Sequence, residues 1–510
     1  MYEAALVFNV VCLGFVTVYF SRLPSFSVFH PLFMYLLFHG FIFVIRPIFA
    51  YFGEFRAIYE VYQFTPSPSD KLTALVGSNI GMLAFAFCAL HTGKSEMRFK
   101  QDAFAVAERN RLIPSALWAI AFTAPIGLYS LLWLFNQSSL DASDMVIDKG
   151  TGTFINTSAN GYLVEASLML ATACVLIGWL FRFRIIALLP LLVFVVGRAG
   201  TGGRGPFVTA VICLGLLWLY EHRRKLPSMR TVWGGLAVIL LFTAIGEDRG
   251  RGIRQWFGTD YTLDQSSTRE LKFLEGMDFG NLEYFEFLVY AVPQRSGSYE
   301  YFADNLMLFT EPIPRVLWPG KPVGSPVKFF ELFDYGYPIG MTRSLPGEGW
   351  TQLGWLGIVI WCGLWGLAFG KLYDRFVTTG QSTFWVMAYM TFIAMLVVAY
   401  RDGTVVTVMR QGMFYFFPII LWKVFATGLA VPRAVDLRAA YYRRVRKAAL
   451  DAARNGEPEP AHAAEALALA ETPVQPDTKH KGAPGSSAYL PPAVRRRREK
   501  LLARQQMAGS

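Results

Sequence analysis

The stretch Pro312-Ile313-Pro314-Arg315-Val316-Leu317-Trp318-Pro319-Gly320-Lys321-Pro322 interrupts a chain that otherwise consists largely of apolar runs. Its four prolines remove backbone donors and push each preceding residue out of the α region. The stretch is therefore extended and cannot cross a membrane, and it predicts a rigid strap that presents Arg315, Trp318 and Lys321 at fixed positions. It belongs to a polar insertion from about residue 247 to 350, which is too long for a passive connector.

The rest of the chain has the composition of a polytopic membrane protein. Of its 510 residues, 54% are hydrophobic and 15% are aromatic. Runs long enough to cross about 30 Å of hydrocarbon lie near residues 4–20, 32–50, 71–91, 113–135, 162–180, 231–246, 353–370, 382–400 and 404–427. With the shorter runs 185–196 and 206–220, they predict an all-α fold of about eleven transmembrane helices. Residues 1–430 form this transmembrane domain, and residues 431–510 are expected to be a basic, mostly disordered cytoplasmic tail.

Basic residues occur in every second connection between these runs, which places those connections in the cytoplasm. The N-terminus, the 136–161 loop and the insertion are then extracytoplasmic, and the C-terminus is cytoplasmic. The basic residues that support this orientation are Lys94, Arg98, Lys100, Arg109, Arg111, Arg182, Arg184, Arg223, Arg224, Lys225, Arg230, Lys371 and Arg375.

The net charge of +11 does not indicate nucleic acid as a partner. Residues 431–510 contain 15 Lys or Arg and 8 Asp or Glu, so this tail alone supplies +7 of the total. A basic segment beside membrane spans is typical of contact with anionic lipid headgroups on the cytoplasmic side. Within this tail, residues 433–453 predict a basic helix.

The insertion itself predicts helices at the membrane surface. Aromatic and apolar positions are dense from residue 268 to 290, which favours one or two interfacial helices. Further helices are predicted over 299–309 and 327–333. The side chains expected at headgroup level are those of Trp256, Tyr284, Phe285 and Tyr290.

Arginine recurs on the side that should be poor in it. Long loops translocate regardless of charge, so the arginines of the insertion alone prove little. Arg46, Arg198, Arg204 and Arg410 differ because they belong to apolar segments. Other cationic residues on this side are Arg249, Arg251, Arg254, Arg295, Arg315, Lys321, Arg343 and Arg401.

The glycine-rich hairpin at residues 197–205 strengthens this pattern. The apolar run before the hairpin, residues 185–196, has twelve residues, and a helix of that length rises only about 18 Å. Arg198 and Arg204 are therefore expected below the membrane surface. Guanidinium groups at such a depth are tolerated where they line a polar cavity, and glycines allow a backbone anion nest. The alternative is a tight turn with two snorkelling arginines.

Several guanidinium groups around an outward cavity suit a pyrophosphate or an acidic sugar. Transfer of a glycan from pyrophosphate needs cations for the leaving group and, for an inverting reaction, a carboxylate that takes the acceptor proton. Glu348, in a glycine-rich turn, is the leading carboxylate; its alternative role is a helix N-terminal charge or a pair with Arg343. For Glu165 we favour a salt bridge to one of the arginines. The other carboxylates considered are Glu247, Asp248, Glu311 and Asp402.

The Pro-Arg-x-Leu-Trp-Pro-x-Lys-Pro phrase, followed by a Gly/Glu turn and Gly354-Trp355-Leu356-Gly357, resembles the Wzy-type oligosaccharide repeat-unit polymerases. The resemblance covers roughly residues 32–429, with its specific part between 295 and 357. It implies a membrane glycosyltransferase that transfers a growing glycan on undecaprenyl pyrophosphate to the next lipid-linked repeat unit. The product would be a surface polysaccharide such as O-antigen, capsule or exopolysaccharide.

The resemblance also implies a bacterial inner membrane, a site facing the periplasm, and a flippase and a chain-length regulator as partners. No cofactor is expected, and no Cys/His metal spacing occurs. The residues assigned to catalysis are Glu348, Arg315 and Arg343. The residues assigned to substrate binding are Arg198, Arg204, Arg295, Trp318, Lys321, Arg401 and Arg410.

Two other functions are compatible with a chain of this kind. O-antigen ligases share the layout but use a histidine in their large outer loop, and none of the six histidines lies between residues 247 and 350. Polysaccharide or lipid transporters are usually built from paired repeats with mid-membrane sites, whereas this chain has no visible repeat and its arginines crowd one side.

Overall fold

The computed structural model describes residues 1–99, 103–136, 145–147, 154–156, 161–199, 205–235, 274–276, 279–310, 318, 325–327, 332, 334–336, 341–379 and 382–455. The described chain is largely helical. Its helices are α1 (Tyr2–Ser21), α2 (Pro31–His39), α3 (Arg46–Gly53), α4 (Ala57–Val61), α5 (Pro68–Thr92), α6 (Ala103–Arg111), α7 (Ile113–Asn136), α8 (Gly161–Ala166), α9 (Leu168–Leu180), α10 (Ile185–Ala199), α11 (Gly205–Glu221), α12 (Asn281–Ala291), α13 (Ala303–Leu306), α14 (Leu345–Thr378), α15 (Thr383–Asp402), α16 (Val405–Gly428) and α17 (Ala434–Asn455).

The described chain also contains four short elements. A π-helical segment, Gly40–Ile45, joins α2 to α3, and the 3-10 turn Met307–Phe309 follows α13. Strands β1 (Met145–Ile147) and β2 (Phe154–Asn156) pair antiparallel, with Val146 opposite Ile155.

The predicted membrane character is confirmed in its coarse form. In the described part of the chain, eight helical stretches are long and apolar enough to cross a membrane, and two shorter apolar helices accompany them. The eight are Tyr2–Ser21, Pro31–Gly53, Pro68–Thr92, Ile113–Leu134, Leu163–Leu180, Leu345–Thr378, Thr383–Asp402 and Val405–Gly428. The predicted run 231–246 is described only as far as residue 235, so it adds no complete helix to this set.

The chain divides into two compact units. The larger comprises residues 1–102 and 109–431, and the smaller comprises residues 103–108 and 432–510. Within the smaller unit, the predicted basic helix is present as α17, where the ring of Tyr441 packs against that of Phe104 at 5.6 Å between centroids. The expected disorder beyond residue 455 lies outside the described residues.

The larger unit is built around the pair α5 and α14, which pack along much of their length. Glycines on α14 make this approach possible: a Cβ at Gly366 would lie 2.5 Å from the Phe85 carbonyl oxygen, and one at Gly370 would lie 2.1 Å from Thr92 Oγ1. Small residues at such a crossing let two helix backbones come close, as is common between membrane helices.

Helix α12 differs from the interfacial helix predicted for this part of the insertion. Phe285 is fully buried and Tyr284 nearly so, because α12 packs between protein elements that include α5 and α14. These two side chains therefore contact protein, and their predicted depth at headgroup level stays a prediction. A helix rich in aromatic residues with a few glutamates has the same composition whether it lies at the membrane surface or inside the protein. Only its contacts with other helices distinguish the two settings.

Two other predicted helices can be compared. The helix expected over 299–309 is present in a shorter form as α13 and the 3-10 turn after it. Most of 327–333, like Trp256, lies outside the described residues. Arg198 is in the last turn of α10 rather than in an irregular hairpin, because that helix continues to Ala199.

Candidate functional site

A break in α14 shapes the candidate site. Leu353 (φ −156°, ψ 31°) and Gly354 (φ 59°, ψ −135°) leave helical geometry and divide the helix into a short N-terminal part and a long C-terminal part. The two parts lie side by side, since a Cβ at Gly357 would be only 2.0 Å from the Gly349 carbonyl oxygen. Gly357 therefore allows a close approach to the Gly349 backbone, and Gly354 adopts the positive φ at the break.

The short N-terminal part of α14 carries Glu348, which lies beside Arg343. Arg343 Nη1 donates to both oxygens of Glu300, at 3.1 and 2.9 Å, and to Glu348 Oε2 at 3.0 Å. Arg343 Nη2 lies 3.8 Å from Asp304 Oδ2. One guanidinium group thus joins two carboxylates directly and has a third within ion-pair range.

The two carboxylates that hold Arg343 have further donors. Gln352 Nε2 donates to Glu300 Oε2 at 2.9 Å and to Glu348 Oε1 at 2.8 Å. Thr351 Oγ1 donates to Glu300 Oε2 at 3.0 Å, and Asn305 Nδ2 donates to Glu348 Oε1 at 2.8 Å. We call these seven residues the Arg343 cluster: Glu300, Asp304, Asn305, Arg343, Glu348, Thr351 and Gln352.

Burial differs sharply within the Arg343 cluster. The side chains of Glu300 and Glu348 are 0% exposed, whereas that of Arg343 is 17% exposed and that of Asp304 is 34% exposed. Two carboxylates are thus enclosed, and the third faces the outside of the protein. Burial raises the pKa of Glu300, and the neighbouring positive charge of Arg343 opposes that rise. Burial alone would lower the pKa of Arg343, but Glu300 and Glu348 raise it well above its usual value.

The segment that carries Glu300 and Asp304 is fastened to the break in α14. Glu300 N–H donates to the Thr351 carbonyl at 2.9 Å, and Tyr301 N–H donates to the Gln352 carbonyl at 3.2 Å. Phe302 N–H donates to the side-chain Oε1 of Gln352. Tyr301 (φ 50°) and Phe302 (φ 62°) are both left-handed, a conformation that costs non-glycine residues on the order of 1–3 kcal/mol each and needs such support.

A second group of polar residues surrounds Glu165. Arg410 Nε lies 3.7 Å from Glu165 Oε1, and Arg198 also interacts electrostatically with this carboxylate. Arg198 Nη1 donates to Ser167 Oγ at 3.1 Å. The predicted salt bridge of Glu165 to an arginine is confirmed. The sequence-predicted binding residues Arg198 and Arg410 thus lie at one common carboxylate.

A third group accounts for Arg46. This arginine is fully buried, pairs with Glu283 on α12, and donates from Nε to the Leu274 carbonyl at 3.1 Å. One turn further on α12, Glu286 Oε2 accepts a 2.6 Å hydrogen bond from the hydroxyl of Tyr59. These contacts join α12 to the N-terminal helices.

The remaining sequence-predicted residues are placed as follows. Arg295 lies over the ring of Tyr290 at 3.5 Å and also faces the ring of Tyr335 at 5.4 Å. Trp318 is 38% exposed. The backbone carbonyl of Arg401 accepts from Ser344 N at 2.8 Å, next to the Arg343 cluster. The predicted site residues Arg204, Arg315 and Lys321 lie outside the described residues.

Sequence reasoning missed five members of the Arg343 cluster: Glu300, Asp304, Asn305, Thr351 and Gln352. Gln352 could have been found, because it follows Glu348 by four residues and side chains at that spacing meet on a helix. Nothing local marks Glu300, whose contacts with Arg343 and Gln352 cross 43 and 52 positions of the chain.

Within the part of the chain that the structure describes, no group of three or more His, Cys, Asp or Glu side chains could hold a metal ion. Comparison of the chain with protein-family models, curated proteins and solved structures finds no match.

Proposed function

We propose that this chain is a membrane glycosyltransferase that resembles the Wzy-type polymerases and joins lipid-pyrophosphate-linked oligosaccharide repeat units into a polysaccharide. The observation that carries this proposal is the Arg343 cluster. In it, two enclosed glutamates pair with a partly exposed arginine, and a partly exposed aspartate lies within ion-pair range of that arginine. The long described helices of the larger unit are largely apolar, so this concentration of charge needs an explanation.

Stability does not supply that explanation. Removing two or three ionised groups from water costs several kcal/mol per ion, and a well-packed apolar replacement is often as stable or more so. Ionisable groups enclosed between apolar helices more often mark a site of binding or chemistry. The Arg343 cluster combines the two groups that glycosyl transfer from a pyrophosphate requires, a cation for the leaving anion and a carboxylate for the acceptor proton.

The arginines beside Glu165 fit the same substrate. Arg198 and Arg410 share one carboxylate between two guanidinium groups, and this pairing favours an additional anion. We assign to them, together with Arg204, Arg315 and Lys321, the binding of the lipid pyrophosphate. Planar guanidinium groups suit this task because each can bind two phosphate oxygens at once.

We also propose a membrane topology and a cellular location for this chain. We expect about eleven spans, an extracytoplasmic insertion, and the Arg343 cluster on the periplasmic side of a bacterial inner membrane. A flippase would supply the lipid-linked repeat units, and a chain-length regulator would act on the product. Of the sequence-based alternatives, ligase and transporter, neither is favoured by a specific contact in the described structure.

Reconstitution tests the proposal directly. Lipid-linked oligosaccharides are extracted from source cells in which the gene for this protein has been deleted. They are then incubated with the purified protein in lipid nanodiscs, and the products are separated by size. A ladder of products that differ by one repeat unit is expected. A matched pair of variants is Arg343→Ala, which should abolish the ladder, and Arg375→Ala, an exposed arginine on the same helix, which should retain it.

Two results would contradict the proposal. Transfer of the oligosaccharide only to a separate lipid acceptor, with no ladder, would indicate a ligase. Movement of intact lipid-linked oligosaccharide across sealed vesicles, with no new glycosidic bond, would indicate a transporter.

A further inference from the structure

We infer that Asp304 is the carboxylate that takes the proton of the acceptor hydroxyl, while Glu348 and Glu300 are positioning residues that hold Arg343 in place. This assignment rests on the proposed function and specifies its chemistry. It differs from the expectation based on sequence, in which Glu348 was the leading base.

Glu348 is enclosed on every side. Its side chain is 0% exposed, and its two oxygens accept hydrogen bonds from Asn305 Nδ2, Gln352 Nε2 and Arg343 Nη1 at 2.8, 2.8 and 3.0 Å. A general base must come within about 2.6–3.2 Å of the proton-bearing oxygen. Because this side chain is fully enclosed, a sugar hydroxyl could reach Glu348 only if the surrounding side chains moved aside.

Glu300 is excluded by the same reasoning. It is 0% exposed, and its Oε2 atom alone accepts from Thr351 Oγ1, Gln352 Nε2 and Arg343 Nη1, at 3.0, 2.9 and 2.9 Å. A carboxylate with this many donors is a fixed acceptor for the protein rather than a group ready for a new partner.

Asp304 has the opposite environment. Its side chain is 34% exposed, and Oδ2 lies 3.8 Å from Arg343 Nη2, which is longer than a hydrogen bond. An incoming hydroxyl can therefore approach this carboxylate from outside while the guanidinium stays nearby. Among the three carboxylates of the Arg343 cluster, Asp304 is the one a substrate can touch.

The backbone around Asp304 is held to the same frame as Arg343. Glu300, Tyr301 and Phe302 donate their N–H groups to Thr351 and Gln352 on α14. On its other side, Asn305 joins Glu348 to the first residue of α16, because its Oδ1 accepts from Val405 N at 3.1 Å. The exposed carboxylate is thus carried on a short segment whose two ends are both fixed, which suits a group that must meet a reacting atom.

The acceptor hydroxyl oxygen forms a bond to the anomeric carbon as the bond from that carbon to the pyrophosphate oxygen breaks. The hydroxyl proton passes to an oxygen of Asp304, and the lipid pyrophosphate leaves with the bonding electron pair. No oxidant, reductant or further reactant is required.

The test compares four purified variants in the reconstituted assay, with extracted lipid-linked oligosaccharide as the probe. For Asp304→Asn we expect kcat to fall about 10²–10⁴-fold, the usual contribution of general acid–base catalysis, with KM and melting temperature close to wild type. Asp304→Glu should recover part of kcat because it restores a carboxylate. Asp374→Asn replaces a partly buried carboxylate that accepts from Ser95 Oγ; it is the matched control and should retain activity. Glu348→Gln should lower the melting temperature.

The results distinguish failure of the proposed function from failure of the Asp304 assignment. Wild-type protein that builds no ladder would overturn the proposed function and this assignment with it. A wild-type ladder together with near-normal kcat in Asp304→Asn would overturn this assignment alone. So would a large loss of kcat in Glu348→Gln at unchanged melting temperature, which would make Glu348 the base.

Discussion

Asn305 donates a 2.8 Å hydrogen bond to Glu348 although the two residues are 43 positions apart in the chain. The same carboxamide accepts from the N–H of Val405 at 3.1 Å, so one side chain joins the segment of Asp304, the first turn of α14 and the first turn of α16. The Arg343 cluster is therefore held by an amide side chain as well as by its charges.

Replacing Asn305 by Ala should destabilise the protein. Both partners of the carboxamide are buried or partly buried, and leaving such groups without a hydrogen bond costs about 1–3 kcal/mol. The expected result is a lower melting temperature of the detergent-purified protein, measured beside Asp334→Ala as an exposed control. Equal melting temperatures for Asn305→Ala and wild type would show that the link contributes nothing.

Replacing Glu348 by Gln should destabilise more than its near-identical shape suggests. Arg343, Asn305 and Gln352 all donate hydrogen bonds to this carboxylate. A glutamine has one acceptor oxygen and one NH₂ group, so at least one of these donors would face another donor. The melting temperature of Glu348→Gln should therefore fall clearly below that of wild type, and a variant as stable as wild type would refute this reasoning.

Replacing Arg343 by Ala should destabilise the protein more than replacing it by Lys. Arg343→Ala leaves the enclosed carboxylates of Glu300 and Glu348 without their cation, and breaking a buried pair in this way costs about 3–5 kcal/mol. Arg343→Lys retains a charge but not a planar fork with several donors, so its loss should be smaller. Thermal unfolding should rank the three proteins as wild type, Arg343→Lys and Arg343→Ala, in falling order of stability. The opposite order for the two variants would contradict this account.

Glu286 should make stability depend on pH. Burial is the main cause that raises its pKa from 4.5 to about 7, and the charge of Glu283 adds to the rise. The charges of Lys71 and Arg46 and the hydrogen bond from Tyr59 oppose it. A carboxyl whose folded pKa is raised binds its proton more tightly in the folded state, so its contribution to stability is lost as pH rises from about 4.5 to about 7. The melting temperature should therefore fall between pH 5.5 and 8.

The variant Glu286→Gln isolates this contribution because its side chain does not titrate. The difference in melting temperature between pH 5.5 and 8 should be smaller in Glu286→Gln than in wild type. Glu96→Gln, a half-exposed glutamate paired with Lys225, serves as the control and should keep the wild-type difference. An unchanged difference in Glu286→Gln would assign the pH dependence to other groups.

Reporter fusions test the proposed orientation. Alkaline phosphatase fused after Asp144 or Asp278 should be active, whereas fusions after Arg224 or Arg375 should be inactive, since phosphatase folds only outside the cytoplasm. A cytoplasmic reporter at the same four positions should give the reverse pattern. Phosphatase activity at Arg224 would overturn the orientation derived from the basic connections.

The sequence by itself determined which stretches become long apolar helices. Hydropathy and length act locally, so the runs near 4–20, 71–91 and 382–400 appear as α1, α5 and α15 with their ends moved by only a few residues. One helix start is local in the same way, because Ser67 and Asp70 form a reciprocal cap at the beginning of α5 within four adjacent residues. Glu348 and Arg343 could be proposed as neighbours because only five positions separate them.

Tertiary structure alone decided which polar groups meet and which carboxylate remains accessible. Glu283 and Glu286 look like the polar face of a surface helix, but their partners Arg46 and Tyr59 lie 237 and 227 positions away. In the same way, Asp304 and Glu348 are equally plausible bases as residue types, and their exposures of 34% and 0% arise from distant segments packing around one of them. Burial is a property of what the rest of the chain brings alongside a residue, and local sequence does not contain that information.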